Sequence, residues 1–546
     1  MNSDLRARIE QLSPEKQALL KQRLRQRNLS GQDPIRPRVQ RGPAPLSSAQ
    51  ERLFFLAQLE PGNPFYNVMG ALRLNGPLQV SALEQSIIAI SQRHESLRTT
   101  FVMSDGEIRQ VIAPCPTHVF KHVDISEATD PEGEMQRRAD EEVKRPFDVT
   151  SGPLFRLTLL RLGMQHHVLL ISMHHIVSDG WSLGILIREL SQVYDAVMAG
   201  KPSPLRPLAI QYGDYSVWQR RWLSSSVLKP HLDYWTTKLA GDLPLLDLPT
   251  DRPRPKQLHY RGSRVPVVLS SALSHSIKTL SLAEATTPFM TLLAAFHVLL
   301  SRHTGQTDLL VGSPIANRTR VEVEALVGCF VNTLVLRADL GGNPPFREVL
   351  ARVKQVCLEA YAHQDLPFEK LVEVLQPIRR LDRMPLIQAM FALHTAMPSI
   401  SLRDLTVSMI DIQRDISVFD VTLVLENTAE HFTGYFEYNT DLFDAATVER
   451  LATHYIRLLE AIVAEPITRV SELAMLSPTE RAQLLVEWNA TAKDCPAIPT
   501  IQALFEAQVE RIPEAVAVVY QNQQLTYQEL HTRANQLAQY LRRVGV

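Results

Sequence analysis

Cysteine is scarce in this chain: four in 546 residues, at Cys115, Cys329, Cys357 and Cys495, spaced too irregularly for a disulfide framework or a zinc knuckle. An excess of one charge is missing as well. Fifty-seven Lys and Arg against 58 Asp and Glu leave a net charge of −1, so no global field draws the chain to nucleic acid or a membrane surface. No apolar run reaches the roughly 18 residues of a membrane-spanning helix, and Met1-Asn2-Ser3-Asp4 does not open a signal peptide. The expectation is a cytoplasmic protein in a reducing compartment, with no metal, no nucleic acid and no membrane among its partners.

Against that background one stretch stands out, Ser172-Met173-His174-His175-Ile176-Val177-Ser178-Asp179-Gly180-Trp181-Ser182. The apolar run from Val168 to Met173 reads as a buried strand. A helix is predicted from about Ser182 to Ala199, with apolar Leu183, Leu186, Ile187, Leu190, Tyr194 and Val197 at helical spacing and Gly200 as its stop. The histidines therefore fall where a strand ends in an anchored loop, a place from which an imidazole can move a proton near neutral pH. Alternation along the strand lets only one of the two face a cleft squarely. Asp179, if buried, needs a cationic partner, because an isolated desolvated carboxylate is too costly. A chance doublet of structural histidines is the plain alternative. A metal site is disfavoured, since the cysteines are scattered and no His-Glu-x-x-His pattern accompanies the pair.

Punctuation marks the organisation. Residues 1–30 read as a helical extension of two short helices, the first carrying Leu5, Ile9 and Leu12, the second opened by Ser13-Pro14 and carrying Leu19, Leu20 and Leu24. Seven basic residues against three acids (Asp4, Glu10, Glu15) make it basic, which fits either a solvated extension or a docking element for an acidic upstream partner. Residues 31–45, with Pro34, Pro37, Pro43 and Pro45, read as a linker. Two mixed α/β halves follow, 46–218 and 219–480. The first includes a helix over Ala82–His94; the second has a Leu- and Ala-rich helix opened by Thr287-Pro288 and ending near Gly305, then a strand at Asp308–Gly312. After a linker over 481–500, Ile501–Arg511 reads as an amphipathic helix and Ala515–Tyr520 as a strand.

Seven segments in order carry a family resemblance: Ser48-Ala49-Gln50-Glu51-Arg52-Leu53; Arg93-His94-Glu95-Ser96-Leu97-Arg98-Thr99-Thr100-Phe101; His174-His175 with Asp179-Gly180; Tyr212-Gly213-Asp214-Tyr215-Ser216-Val217-Trp218; Val327-Gly328-Cys329-Phe330-Val331-Asn332-Thr333; His363-Gln364-Asp365-Leu366-Pro367-Phe368-Glu369; and Arg379-Arg380-Leu381-Asp382-Arg383-Met384-Pro385-Leu386. The chain resembles the condensation domains of nonribosomal peptide synthetases over about residues 46–480. The last segment departs slightly, with Asp382 where the family usually has a serine and Met384 where Asn or Thr is common. The tail, with Leu525-Thr526-Tyr527-Gln528-Glu529-Leu530, resembles the opening of an adenylation domain over 501–546. With neither a Gly-rich phosphate loop nor a Gly-Gly-x-Ser carrier site, it reads as a truncated piece that does not activate amino acids itself.

The resemblance implies an α/β fold of two chloramphenicol-acetyltransferase-like lobes in a V-shaped pseudo-dimer; no internal repeat in the sequence announces that symmetry. It implies amide formation between a donor acyl or peptidyl thioester and an acceptor aminoacyl thioester. Both are carried on phosphopantetheine arms of partner carrier domains, beside an adjoining adenylation domain, with no cofactor bound covalently here. His175 is then the catalytic residue, as base or as a group orienting the amine. His174, Asp179, Gly180 and Arg318 support the loop, Gly180 leaving room for the donor arm and Arg318 pairing with Asp179, with Arg320 as the fallback. Asn332 is a candidate contact for a substrate arm or a strand-end turn residue. A silent carrier-binding scaffold and an epimerase- or cyclase-like relative are the alternatives. His94, His363, Trp218, Trp222 and Trp235 read as structural.

Overall fold

A computed structural model describes residues 34–39, 41–104, 106–114, 119–377, 380, 382–396, 401–412, 415–492 and 500–546. The basic extension over residues 1–30 lies outside the described residues. Two compact units divide the chain, Met1–Met475 and Leu476–Val546.

The first unit is built on two six-stranded sheets. In the first lobe, strand β7 (His166–His174) runs between β2 (Asn67–Asn75) and β6 (Phe155–Gly163), antiparallel to both, with Asn67 opposite His174 and Phe155 opposite Met173. Strand β5 (Phe120–Asp124) adds in parallel beyond β6. Leu169, Ile171 and Met173 point to one face, where they meet Leu83, Ile87 and Ile90 of helix α2 (Val80–Arg93) and Leu183, Leu186 and Leu190 of helix α4 (Gly180–Met198). Val168 and Leu170 point to the other and meet Met135, Ala139 and Val143 of helix α3 (Pro131–Lys144). Burial on both faces is why β7 reads as an unbroken apolar run rather than an alternating one. Helices α5 (Tyr212–Leu223) and α6 (Leu228–Lys238) follow α4 along the chain.

The second lobe orders its strands β10 (Asn332–Asp339), β9 (Asp308–Ile315), β11 (Ala389–Thr395), β14 (Val421–Asn427), β15 (Phe432–Asn439) and β8 (Gly262–Val268). Strand β11 is parallel to both neighbours; the other pairs are antiparallel. Its central helix α8 (Pro288–Thr304) is buried without a break from Met290 to Ser301. The Thr287 hydroxyl caps its start, and Gly305, at φ +73°, ends it in the left-handed conformation open to glycine. The other helices of this lobe are α7 (Ser271–Ala283), α9 (Phe346–Ala362) and α11 (Ala445–Ala464); α10 (Phe368–Leu375) follows α9.

Two features depart from the reading of the sequence. Strands β12 (Ser401–Leu402) and β13 (Leu405–Ile410) lie within the 219–480 segment but belong to the first lobe's sheet, where β13 pairs with β2. The cause is burial: Leu402 and Leu405 enter the core under α2 and α4, and Ile410 packs on the opposite one. The Pro-rich stretch, over its described part, is no free tether. Ile35 is buried, and Ala44–Pro45 (β1) pairs with β4 (Glu107–Ile112), itself paired with β3 (Thr99–Ser104). The Arg38 side chain is buried in an ion-paired bridge to Glu95 (2.7 Å) and Asp214 (3.1 Å).

In the second unit, helices Ile501–Arg511 and Tyr527–Arg543 flank a hairpin of Val516–Tyr520 and Gln523–Thr526. Val509 is its one buried side chain among the described residues. No single helix in the described residues is long and apolar enough to cross a membrane, and no group of three or more metal-ligating side chains occurs among them.

Candidate active site

Strand β7 delivers His174 and His175 into a single 3-10 turn, His175–Val177, and from there into the N-terminus of α4. His174 is the buried member. Its Nδ1 accepts the Ile176 N–H at 3.1 Å, which places the ring proton on Nε2, and its ring centre lies 6.3 Å from that of Tyr66 and 6.2 Å from that of Phe147. Burial, with a smaller push from His175, lowers its pKa to about 3, so it stays neutral. His175 is half-buried, with Nδ1 3.5 Å from the Cys329 thiol.

Asp179 caps α4. Its Oδ1 accepts from the Ser182 N–H (2.8 Å) and hydroxyl (2.6 Å), and Oδ2 accepts the Phe330 N–H at 3.0 Å. Arg318 donates through Nη2 to Asp179 (3.1 Å) and to the Ser182 hydroxyl, and through Nη1 to the carbonyls of Val323 and Leu326, both at 2.7 Å. Both side chains of this pair are buried, at 2% and 4% exposure, with the guanidinium carbon 4.2 Å from the centre of the Phe330 ring. Burial lowers the Arg318 pKa despite the opposing pull of Asp179, as expected of a desolvated ion pair. Arg320, the alternative partner, instead lies over Trp218 at 4.2 Å.

Gly180 is exposed, and a Cβ there would meet no protein atom within 4 Å. The space above it is open, so nothing in the fold itself demands glycine. Gly328 is the opposite case: a Cβ would run into the Tyr212 ring, and its absence lets the Tyr212 hydroxyl reach the Cys329 carbonyl at 2.5 Å.

Asn332 does not offer itself to a substrate arm. Its amide nitrogen donates to the carbonyls of Gln364 (2.9 Å) and Leu366 (2.7 Å), and its oxygen accepts from the N–H groups of Thr333 and Phe368, both at 2.9 Å. Both hydrogens and both lone pairs are spent, so it pins the loop before α10. His94 is likewise structural, held to Glu189 at 2.8 Å, and the His363 carbonyl accepts the buried Trp235 indole N–H.

The motifs scattered along the sequence converge here. Gln50 donates to the Ile176 carbonyl, the Ser96 hydroxyl to that of Val327, and Arg52 of helix α1 (Ser48–Leu59) pairs with Glu369 of α10 at 3.1 Å, joining the two lobes. Sequence reasoning singled out neither Cys329 nor Ser182. The signal for both was their position inside or beside a motif, with no chemistry attached.

A family model described as Condensation domain matches residues 40–485, and one described as AMP-binding enzyme matches residues 505–546. A linear gramicidin synthase of Brevibacillus parabrevis is 47% identical over 508 residues, covering 92% of this chain and 10% of its own length. Phosphinothricin tripeptide synthetase PhsC of Streptomyces viridochromogenes is 40% identical over the whole chain, which spans 51% of it. Among solved structures, the X-domain in complex with OxyB from teicoplanin biosynthesis covers 82% of this chain and 99% of its own at TM-score 0.75 and 29% identity. A holo four-domain nonribosomal peptide synthetase bound to AMP and glycine covers 95% of this chain at TM-score 0.76 with 40% of its own length; at 22% identity it speaks for the fold alone. The match over most of the chain and the shared two-lobed fold place it: the protein belongs to the condensation domains of nonribosomal peptide synthetases, a family that forms amide bonds.

Proposed function

We propose that this chain joins a donor acyl or peptidyl thioester to the amine of an acceptor aminoacyl thioester, with His175 as the residue in contact with the reacting groups. A C–N bond forms at the donor carbonyl and the donor's C–S bond breaks. The amine gives up one proton and the departing thiolate takes one. The observation that carries the reading is the division of labour at the end of β7. His174 is neutral and spent on the backbone, while the half-buried His175 is held on a loop clamped by the buried Asp179–Arg318 pair. A positioned imidazole contributes about 100- to 10,000-fold, by accepting the proton or by fixing the amine. Both substrates arrive as thioesters on phosphopantetheine arms of partner carrier domains; the open space above Gly180 fits the approach of the donor arm. The test is direct: with both carriers loaded, the amide product is read by mass, and His175→Ala removes it while the fold is kept.

A second reading has one observation behind it. The X-domain neighbour is known in complex with another protein, OxyB, so the same fold also serves as a binding platform. Wild-type carrier binding without any amide product favours that scaffold. For the basic residues 1–30, we infer docking of an acidic segment from an upstream synthetase. Deleting them leaves condensation with concentrated free donor carrier nearly unchanged and weakens transfer from the upstream protein in a salt-sensitive way. Equal transfer at low salt before and after deletion makes them a passive extension.

A further inference from the structure

The thiol that faces His175 is held in place from three sides. Tyr212 donates to the Cys329 carbonyl, the Gly328 N–H donates to the Ser182 hydroxyl (3.1 Å), and the Phe330 N–H is fixed on Asp179. Cys329 itself is buried among Leu46, Phe54, Ile176 and Val177. The backbone that carries its sulfur is therefore tied to the same groups that anchor the loop.

Two roles fit a thiol beside an imidazole. As a nucleophile, the sulfur would take the acyl group itself, forming a new thioester as the donor's C–S bond breaks, and pass it to the amine in a second step. That route needs a thiolate with access to substrate. Burial, with Asp179 and Glu369 adding to it, pushes the Cys329 thiol well above its ordinary range, the reverse of what nucleophilic cysteines show. The second role needs only a small polarisable group, a weak donor and a weak acceptor, against one ring nitrogen.

We propose that Cys329 is a positioning residue for His175: its sulfur rests against Nδ1, fixes the plane of the ring at the end of β7 and turns Nε2 toward the acceptor amine. This role rests on the reading of His175 given above, and it sharpens that reading. A carboxylate at this place would stabilise an imidazolium, as the aspartate does in hydrolytic triads. A thiol accepts far more weakly, so the contact orients the ring without the charged partner that a carboxylate would supply.

The experiment compares Cys329→Ser, Cys329→Ala and His175→Ala in the full chain, with both carriers loaded. If the contact with Nδ1 matters, alanine loses about tenfold in kcat with KM for either carrier unchanged, the size of a small misplacement at a reacting centre. Serine, which keeps a hydrogen-bonding group at Cβ, recovers most of that loss. Packing alone predicts the reverse order, because a serine hydroxyl buried in an apolar cluster costs more than a methyl, and melting temperatures follow that order. The proposal is overturned if alanine equals or exceeds serine in kcat, or if rapid-quench mass spectrometry finds the acyl group on Cys329. Undiminished product from His175→Ala is a separate outcome, and it sinks the reading of the site rather than the place of Cys329 in it.

Discussion

Each lobe contains a pair of histidines, and the two pairs have been put to opposite uses. In the first lobe His174 and His175 are consecutive, and their environments diverge within one residue: one ring is buried and bonded to the backbone, the other half-buried beside a thiol. In the second lobe His303 and His454 come from helices α8 and α11 and bond to each other, Nε2 to Nδ1 at 3.1 Å, with their rings stacked. There each imidazole answers the other, and the pair ties two helices together. What sets the first pair apart is that its two members differ in burial and in partner, where those of the second are matched to each other.

The largest effect is expected at Asp179. Removing its carboxylate orphans a buried guanidinium, so Asp179→Ala lowers stability by roughly 3–5 kcal/mol, and product formation falls with it. Chemical denaturation measures this, and a loss under about 1 kcal/mol would mean that the loop does not depend on the pair. Next comes His175→Ala: at least about 100-fold less amide at unchanged stability. Asn332→Ala follows, leaving two carbonyls and two N–H groups without their partner, at roughly 1–3 kcal/mol. Activity per folded molecule then stays level; a specific drop in kcat would restore Asn332 as a substrate contact.

The smallest effect concerns the second pair. Burial, together with His454 and nearby arginines, lowers the His303 pKa to about 4, while an unfolded histidine takes its proton near 6.5. Between these values the unfolded chain binds the extra proton, so stability is lost as pH falls from about 6.5 toward 4. His303→Gln flattens that slope, measured as denaturation midpoints across the window. His174, lowered to about 3, adds to the same slope, and an unaltered slope in His303→Gln would assign the proton uptake there or to other buried histidines.

The sequence made local elements legible where a single residue decides them. Thr287-Pro288 and Gly305 bracketed α8 because a hydroxyl cap and a left-handed glycine act on the backbone they sit in. The strand-to-loop corner at His174 was readable for the same reason. The partnership of Asp179 with Arg318 came from family resemblance, not from spacing, since 139 residues separate them. The place of Cys329 is not legible in the sequence because a thiol carries no charge pattern to read, and the role of Asn332 depends on carbonyls far along the chain. Arg38 was hidden in a stretch whose prolines speak of a linker, although its partners Glu95 and Asp214 lie in quoted motifs.

The exchanged strand β13 sets an order of events during synthesis. Until residues Leu405–Ile410 have left the ribosome, β2 is an open edge on a sheet otherwise complete since His174. At ~5–20 residues per second that wait is on the order of ten to fifty seconds, during which a nascent chain offers an unpaired edge to its neighbours. The same geometry governs recombination between relatives. A chimera joined near residue 218 inherits β2 from one parent and β13 from the other, and the seam then runs through a ladder of hydrogen bonds rather than through a loop.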